Sequence, residues 1–367
     1  MKICFISGAL PEVSCGIGDY VDALARALAR LDHDVVVITT ESPELRQPTD
    51  YRIVPLRTAW SLRDAGRVAA AAQREHPDVL HLQFPGVGFG RGFGASFAPW
   101  AVRLRRSRPR PLLATTLHEF QRFRLRHRAR LALAVAACDL VIAPDPTELA
   151  SIERHLAWRR GPKTELIPLA ANVWPTAMAA RRDETSGGGE LTVGYWGFIR
   201  PDKGVDLLLE AFAQIRRVRP ARLVLAGDPG PEAEYIASLT RKAESLGIAS
   251  AIRTTGKLPT EQLSAELRAF DVCVLPFREG LRQNRGTYAG AVAHGLYVVT
   301  TSAQRSGFDQ ETNTALVPPN DREALASAIL EAPAHPQQRS STTPDEAWGE
   351  IAELHLAAYG RALDDRR

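Results

Sequence analysis

The chain has 367 residues, a mass of 40.1 kDa and a formal net charge of +4. That length exceeds what one hydrophobic core ordinarily serves, so two domains are expected. With 45% hydrophobic and 24% charged residues it is neither disordered nor fibrous, and it is too long for a disulfide-stapled miniature.

No apolar run approaches the ~18 residues of a membrane span, and Ile3 to Ile6 is too short for a secretory leader, so the chain is expected to stay in the cytoplasm. Cys4, Cys15, Cys138 and Cys273 are far apart and mostly in apolar segments, the setting of reduced, structural thiols. No His, Cys and carboxylate cluster has metal-site spacing, so no protein-held metal is expected, and no nucleic-acid partner.

In chain order, KICFIS (2–7) predicts a strand, broken at Gly8 to Pro11 and followed by a helix over Tyr20 to Leu31. Further strands are expected at 34–40, 78–84, 111–118 and 139–144, with helical segments between most of them. Residues 172–190 gather proline, charge and three consecutive glycines, the composition of a connection. The pattern then restarts, with strands at 191–198, 221–227, 251–257, 271–277 and 296–302. Helices are expected near Val205 to Arg217, Glu232 to Leu246, Thr260 to Ala269 and Thr287 to Ala293. A Pro-rich polar stretch (332–346) precedes a closing amphipathic helix from Trp348 to Leu363, which must bury its apolar stripe.

Strands alternating with helices mean parallel sheets. The domains are therefore read as 1–175 and 191–331, joined by a linker at 176–190 and a connection at 332–347. Ligands of open parallel sheets bind where strand-to-helix loops meet helix N-termini.

Charge is unevenly divided: residues 1–175 carry 24 Lys and Arg against 17 Asp and Glu, and the remainder 22 against 25. Five arginines lie in Arg103 to Arg110 and five more alternate from Arg122 to Arg130. They form either a solvated helix face or a basic surface for weak contact with an anionic membrane or a phosphorylated acceptor.

The dinucleotide fingerprint fails, because Gly16-Ile17-Gly18 is followed by Val21 at the third glycine's position. The Walker pattern and the G-x-S-x-G elbow are absent. A more specific signal remains in GYWGFIRPDKGVDLLLEAF (194–212), LVLAGDPG (223–230), GKLPTEQL (256–263) and DVCVLPFREGLRQNRGTYAGAVAHGLYVVTTSAQ (271–304). This order resembles the nucleotide-sugar-binding half of GT-B glycosyltransferases of the family 4 group. SGALPEVSCGIGDY (7–20), TLHEF (116–120) and LIPLAANVWP (166–175) are similar to the first glycine-bearing loop, the His-bearing loop and the segment before the interdomain crossing.

The resemblance implies an α/β, GT-B fold of two Rossmann-like, doubly wound parallel-sheet domains facing a cleft, the first on the acceptor side. The closing helix would return to pack on the first domain. It implies transfer from a UDP- or GDP-sugar to a hydroxyl of a sugar, lipid-linked or small-metabolite acceptor, with retention and no metal. The cytoplasm, including the inner face of the membrane, is its expected site.

Departure of a diphosphate demands converging cations and amides. Arg200 and Lys203 share one strand-to-helix loop, and Arg285, Gly286 and Thr287 open a later helix. Together they make a candidate anion site. Gly16 and Gly18 would let backbone approach the diphosphate or sugar. His118 would stand at a strand's carboxyl end within reach of the sugar, or serve as a hydrogen-bonded core residue. Glu119 beside it would face the acceptor, and Asp228, at the end of a strand, would cap a turn.

By resemblance, Lys257 and Leu258 bracket the nucleobase. Family members carry two glutamates separated by seven residues; counting from Glu279 puts Thr287 at the second, so this chain is nearer the members with an Arg-Gly-Ser/Thr element. Phe198 stands where many members have arginine, and Arg200 would supply that charge. Two alternatives stay open: a sugar-nucleotide epimerase using His118 and Glu119, and a catalytically silent nucleotide-sugar binder.

Overall fold

The computed structural model describes residues 1–11, 16–84, 87–90, 93–105, 109–118, 131–156, 162–176, 189–227, 232–332 and 342–366. The chain divides into two compact units, Met1–Asn172 with Pro344–Arg367, and Val173–Thr343. Among the described residues, no helix is long and apolar enough to cross a membrane.

The first unit is built on a seven-stranded sheet ordered β3-β2-β1-β4-β5-β6-β7. The strands are β1 (Lys2–Ile6), β2 (Asp34–Thr40), β3 (Arg52–Leu56), β4 (Val79–Phe84), β5 (Leu112–Leu117), β6 (Leu140–Ala143) and β7 (Lys163–Leu166), and all pairings are parallel. Alternation sorts side chains to two covered faces. Ile3 and Phe5 join Tyr20, Leu24 and Leu28 of the Gly16–Arg30 helix, whereas Cys4 and Ile6 join Val68 and Ala72 of the Ala65–Arg74 helix.

The closing helix, Pro344–Asp364, belongs to this unit. It buries Trp348, Ile351, Ala352, His355, Ala358, Tyr359 and Ala362, a stripe at helical spacing. Trp348 Nε1 donates to the Ala171 carbonyl at 2.9 Å, and Arg361 pairs with Glu165 at 2.9 Å.

The second unit repeats the plan with order β10-β9-β8-β11-β12-β14-β13. Its strands are β8 (Leu191–Trp196), β9 (Ala221–Ala226), β10 (Ile252–Thr254), β11 (Val272–Leu275), β12 (Val298–Thr301), β13 (Gly307–Asp309) and β14 (Thr314–Val317). The sheet is not wholly parallel, since β13 runs antiparallel to β14 at one edge.

Most expected strands and helices stand within a residue or two of their sequence positions. The strands without a sequence signal are β3, β7, β13 and β14. Three of them are edges. An edge needs no apolar run on both faces and tolerates Pro55, whose missing N–H costs no interior ladder bond. The fourth, β14, has only four residues.

Part of the arginine cluster is occupied internally. Arg110, Arg103 and Arg366 approach the Asp139 carboxylate at 2.7, 3.6 and 3.8 Å, and Asp139 also accepts the Leu113 N–H at 3.0 Å. Arg103 and Arg110 therefore serve a structural ion cluster, while Arg122 to Arg130, Glu119 and Asp228 lie outside the described residues.

Candidate functional site

In the second unit the strand order reverses between β8 and β11, the place where parallel sheets open a ligand crevice at their carboxyl ends. Glycine lets the loops there approach closely. Gly197 has φ 124°, and a Cβ on it would stand 2.8 Å from the Thr287 methyl carbon. A Cβ on Gly227, just past β9, would meet the Gly197 carbonyl at 2.0 Å.

The chain then passes Arg200 into the short turn Pro201–Lys203 and enters the Val205–Val218 helix through Gly204 at φ 70°. A Cβ on Gly204 would lie 2.1 Å from the Pro276 carbonyl oxygen, so the β8 loop is pressed onto the end of β11. Gly204→Ala combines a left-handed backbone with this collision; it is expected to cost at least about 1–3 kcal/mol and to depress donor binding with it. Thermal melting and nucleotide titration check both effects.

Two of the sequence-predicted cations converge here. Lys203 Nζ lies 5.1 Å from the centre of the Phe277 ring, and Arg285 Cζ lies 5.0 Å from the same ring. Lys203 is only 8% exposed. Gly286 and Thr287 form the first turn of the Gly286–Ala293 helix, whose N–H groups have no intrahelical acceptor. This helix is also held at its far end: the His294 Nδ1–H donates to the Gly290 carbonyl at 2.7 Å. Its Nε2 accepts the Ser264 hydroxyl at 3.1 Å, and that hydroxyl in turn accepts the Thr176 N–H at 3.1 Å.

The other candidates are placed differently. Arg200 is turned onto Asp202 at 3.2 Å and lies 5.8 Å over Phe198, so its charge is shared with its own loop. Glu279 is exposed and pairs with Arg282 at 2.9 Å. Lys257 (exposed) and Leu258 (half-buried) follow β10, at the same carboxyl edge of the sheet as Gly197 and Phe277.

In the first unit Gly16 and Gly18 have different roles. A Cβ on Gly18 would meet the Leu10 backbone at 2.8 Å, so its bare face is filled by its own loop; Gly16 has open space around it. The sequence signal missed a tighter approach at the β1/β4 reversal, where a Cβ on Gly88 would stand 1.6 Å from the Gly8 carbonyl oxygen.

His118 sits inside the unit, 6% exposed. Its Nε2–H donates to Gln83 Oε1 at 2.9 Å, and the Gln83 amide donates to His81 Nε2 at 3.3 Å. Since Thr116 also points its hydroxyl at that nitrogen, the proton of His81 is on Nδ1, directed at the Tyr359 hydroxyl 2.6 Å away. Tyr20 donates to His355 Nε2 at 3.1 Å while His355 Nδ1–H donates to the Ile351 carbonyl. Burial pushes His118 down to about 3 and His355 to about 4, and holds His81 well below the ordinary histidine value. His118 is thus a buried, neutral member of a hydrogen-bonded chain that reaches Tyr359 of the closing helix.

Among the described residues, no group of three His, Cys, Asp or Glu side chains could hold a metal ion. Cys4, Cys138 and Cys273 are buried free thiols.

Residues 15–172 match the family model described as Glycosyltransferase Family 4, and residues 190–334 the model described as Glycosyl transferases group 1. The GDP-mannose-dependent alpha-(1-6)-phosphatidylinositol monomannoside mannosyltransferase of Mycolicibacterium smegmatis is 27% identical over 92% of this chain and 90% of its own length. The glycogen synthase of Mycobacterium tuberculosis H37Rv is 26% identical over 98% of this chain and 94% of its own. In fold, sucrose-phosphate synthase from Thermosynechococcus elongatus superposes with a TM-score of 0.72 at 21% identity, covering 100% of both chains. With the first unit matched by the Glycosyltransferase Family 4 model, the second by the Glycosyl transferases group 1 model, and relatives aligned along nearly its whole length, the chain belongs to the group 1, family 4 glycosyltransferases of the GT-B fold and is a sugar-transferring enzyme.

Proposed function

We propose that this enzyme takes a UDP- or GDP-sugar on its second unit and passes the sugar to an acceptor hydroxyl on its first, with retention of configuration and without a metal ion. The observation that carries this is the convergence of Lys203 and Arg285 on Phe277, beside the first turn of the Gly286–Ala293 helix. As the glycosyl bond breaks, negative charge grows on the leaving diphosphate, and side-chain cations with free amides meet it without reorganising. Those cations do the work that a bound divalent ion does elsewhere.

Arg200 is a secondary cation in this reading, released from Asp202 when a phosphate arrives. Lys257 and Leu258 hold the base through their backbone, and Gly16 offers amide backbone on the acceptor side. The acceptor is a sugar, a lipid-linked glycoside or a small metabolite. The mannosyltransferase relative, named for GDP-mannose and a phosphatidylinositol mannoside, supports a nucleotide-sugar donor and a hydroxyl acceptor. Reduced, buried thiols accord with a cytoplasmic setting.

Purified enzyme is to be offered GDP-mannose, UDP-glucose and ADP-glucose with a panel of glycoside, polyprenyl and inositol acceptors, with and without EDTA. Acceptor-dependent release of GDP or UDP, unchanged by EDTA, is the expected result. Loss of turnover on chelation, or release only from ADP-glucose, rejects the corresponding part of the proposal. The anomeric proton coupling of the product reports retention or inversion.

A further inference from the structure

Phe277 has no role in the sequence resemblance, yet it is where two loops of neighbouring strands meet. It is 1% exposed and belongs to the hydrophobic cluster of its unit. Its backbone is pinned: the N–H donates to the Leu275 carbonyl at 2.9 Å, and its carbonyl accepts the Gly280 N–H at 3.1 Å together with the Thr301 hydroxyl.

Lys203 reaches the ring from the β8 loop and Arg285 from the loop after β11. Both loops are themselves stapled, because the Arg278 N–H donates to the Asp202 carbonyl at 3.2 Å and Gly204 lies against Pro276. A ring serving only as core filling needs neither cation. Two cations within about 5 Å of one ring centre are each drawn to its π-system.

We propose that Phe277 is a positioning residue, a fixed aromatic post whose π-system holds the Lys203 ammonium and the Arg285 guanidinium in place for a diphosphate. This rests on the functional reading above and adds the device that sets the cations before the donor arrives. Groups set before the donor arrives need not be collected at each turnover. The ring acts through the cations and does not touch the reacting bond.

The test separates the π-face from the bulk of the ring. Full-length enzyme is made with 4-fluoro-, 3,5-difluoro- and 3,4,5-trifluorophenylalanine at position 277, which drain the face of electron density at nearly constant volume, and with Phe277→Leu. Kd values for GDP and UDP are measured by calorimetry and melting temperatures are recorded in parallel.

The expected result is a stepwise weakening of diphosphate binding with each fluorine, about tenfold across the series, with melting temperature unchanged. In a Lys203→Met background the dependence on fluorine should shrink, because one of the two cations no longer feels the ring. A flat series in an enzyme whose unmodified form binds the diphosphate overturns the role of Phe277 and leaves the functional reading standing. Tighter binding on fluorination, or weakening that tracks a falling melting temperature, also overturns it. If the unmodified enzyme binds neither GDP nor UDP, the diphosphate reading falls, and the post with it.

Discussion

Lys203→Ala is expected to lower kcat by about 10²- to 10³-fold, the scale seen when one preorganised group stabilising transition-state charge is removed. Lys203→Met, which keeps the length of the stem and removes only the charge, should lose nearly as much. The side chain is buried over Phe277 and enters from a turn fixed by Gly204, so its ammonium cannot be replaced by a neighbour swinging in. Arg200, the nearest sequence alternative, rests on Asp202 and Phe198 and, even when released to a phosphate, does not stand in the place over Phe277.

The loss should fall on kcat more than on KM, because charge on the leaving group is greatest as the glycosyl bond breaks. Melting temperature should change little, since the methionine keeps the packing and removes a desolvated charge. Steady-state kinetics with a saturating donor decide it. A wild-type kcat in both variants removes Lys203 from the chemistry.

The second large effect is on stability. His81, His118 and His355 are buried and neutral, with folded values of about 3 for His118, about 4 for His355 and well below normal for His81. Unfolding returns each to about 6.5, so below that pH the unfolded chain binds more protons than the folded one. The stability these residues contribute is therefore full above pH 6.5 and is lost as pH falls toward 4. Each imidazole accounts for about 1.4 kcal/mol per pH unit, and the three together for about 4 kcal/mol per pH unit.

A domain holds roughly 5–15 kcal/mol in total, so the loss of about 6 kcal/mol between pH 6.5 and 5 takes a first unit at the lower end of that range to its unfolding midpoint. Denaturant titrations between pH 7.5 and 5.5, above the carboxylate range, isolate the effect. His355→Gln should remove about one third of the slope. Stability independent of pH across that window would show that the histidines charge without unfolding the unit.

Much of the fold was legible because interior parallel strands are written as unbroken apolar runs: DVVVITT is buried from Val35 to Thr39, and VLHLQF throughout. RIVPL, KTEL and GFD lie at sheet edges, where one side meets solvent, and their composition carries no comparable signal.

The proposed anion site was legible in part. Lys203, Arg285 and Thr287 could be found from their loops, since cations and unbonded amides gathered at helix N-termini are the local mark of an anion site. Phe277 could not, because a phenylalanine at a strand end reads as core until the two cations are seen over it. Nor could the fate of His118. Its partners Gln83 and His81 come from β4 and connect it to Tyr359 near the chain's end, a separation no local pattern spans.

The Pro344–Asp364 helix completes a unit whose other residues end at Asn172. During synthesis the intervening unit, Val173–Thr343, emerges first, a delay of roughly 10 to 30 s at ordinary elongation rates. Throughout that interval the face of Tyr20, Leu24 and Leu28 that later receives Trp348 and Tyr359 stands open to water on the nascent chain. The half of the protein made first is thus the half finished last, and a ribosome that stalls before residue 344 releases a product whose second lobe is whole and whose first is an exposed, adhesive intermediate.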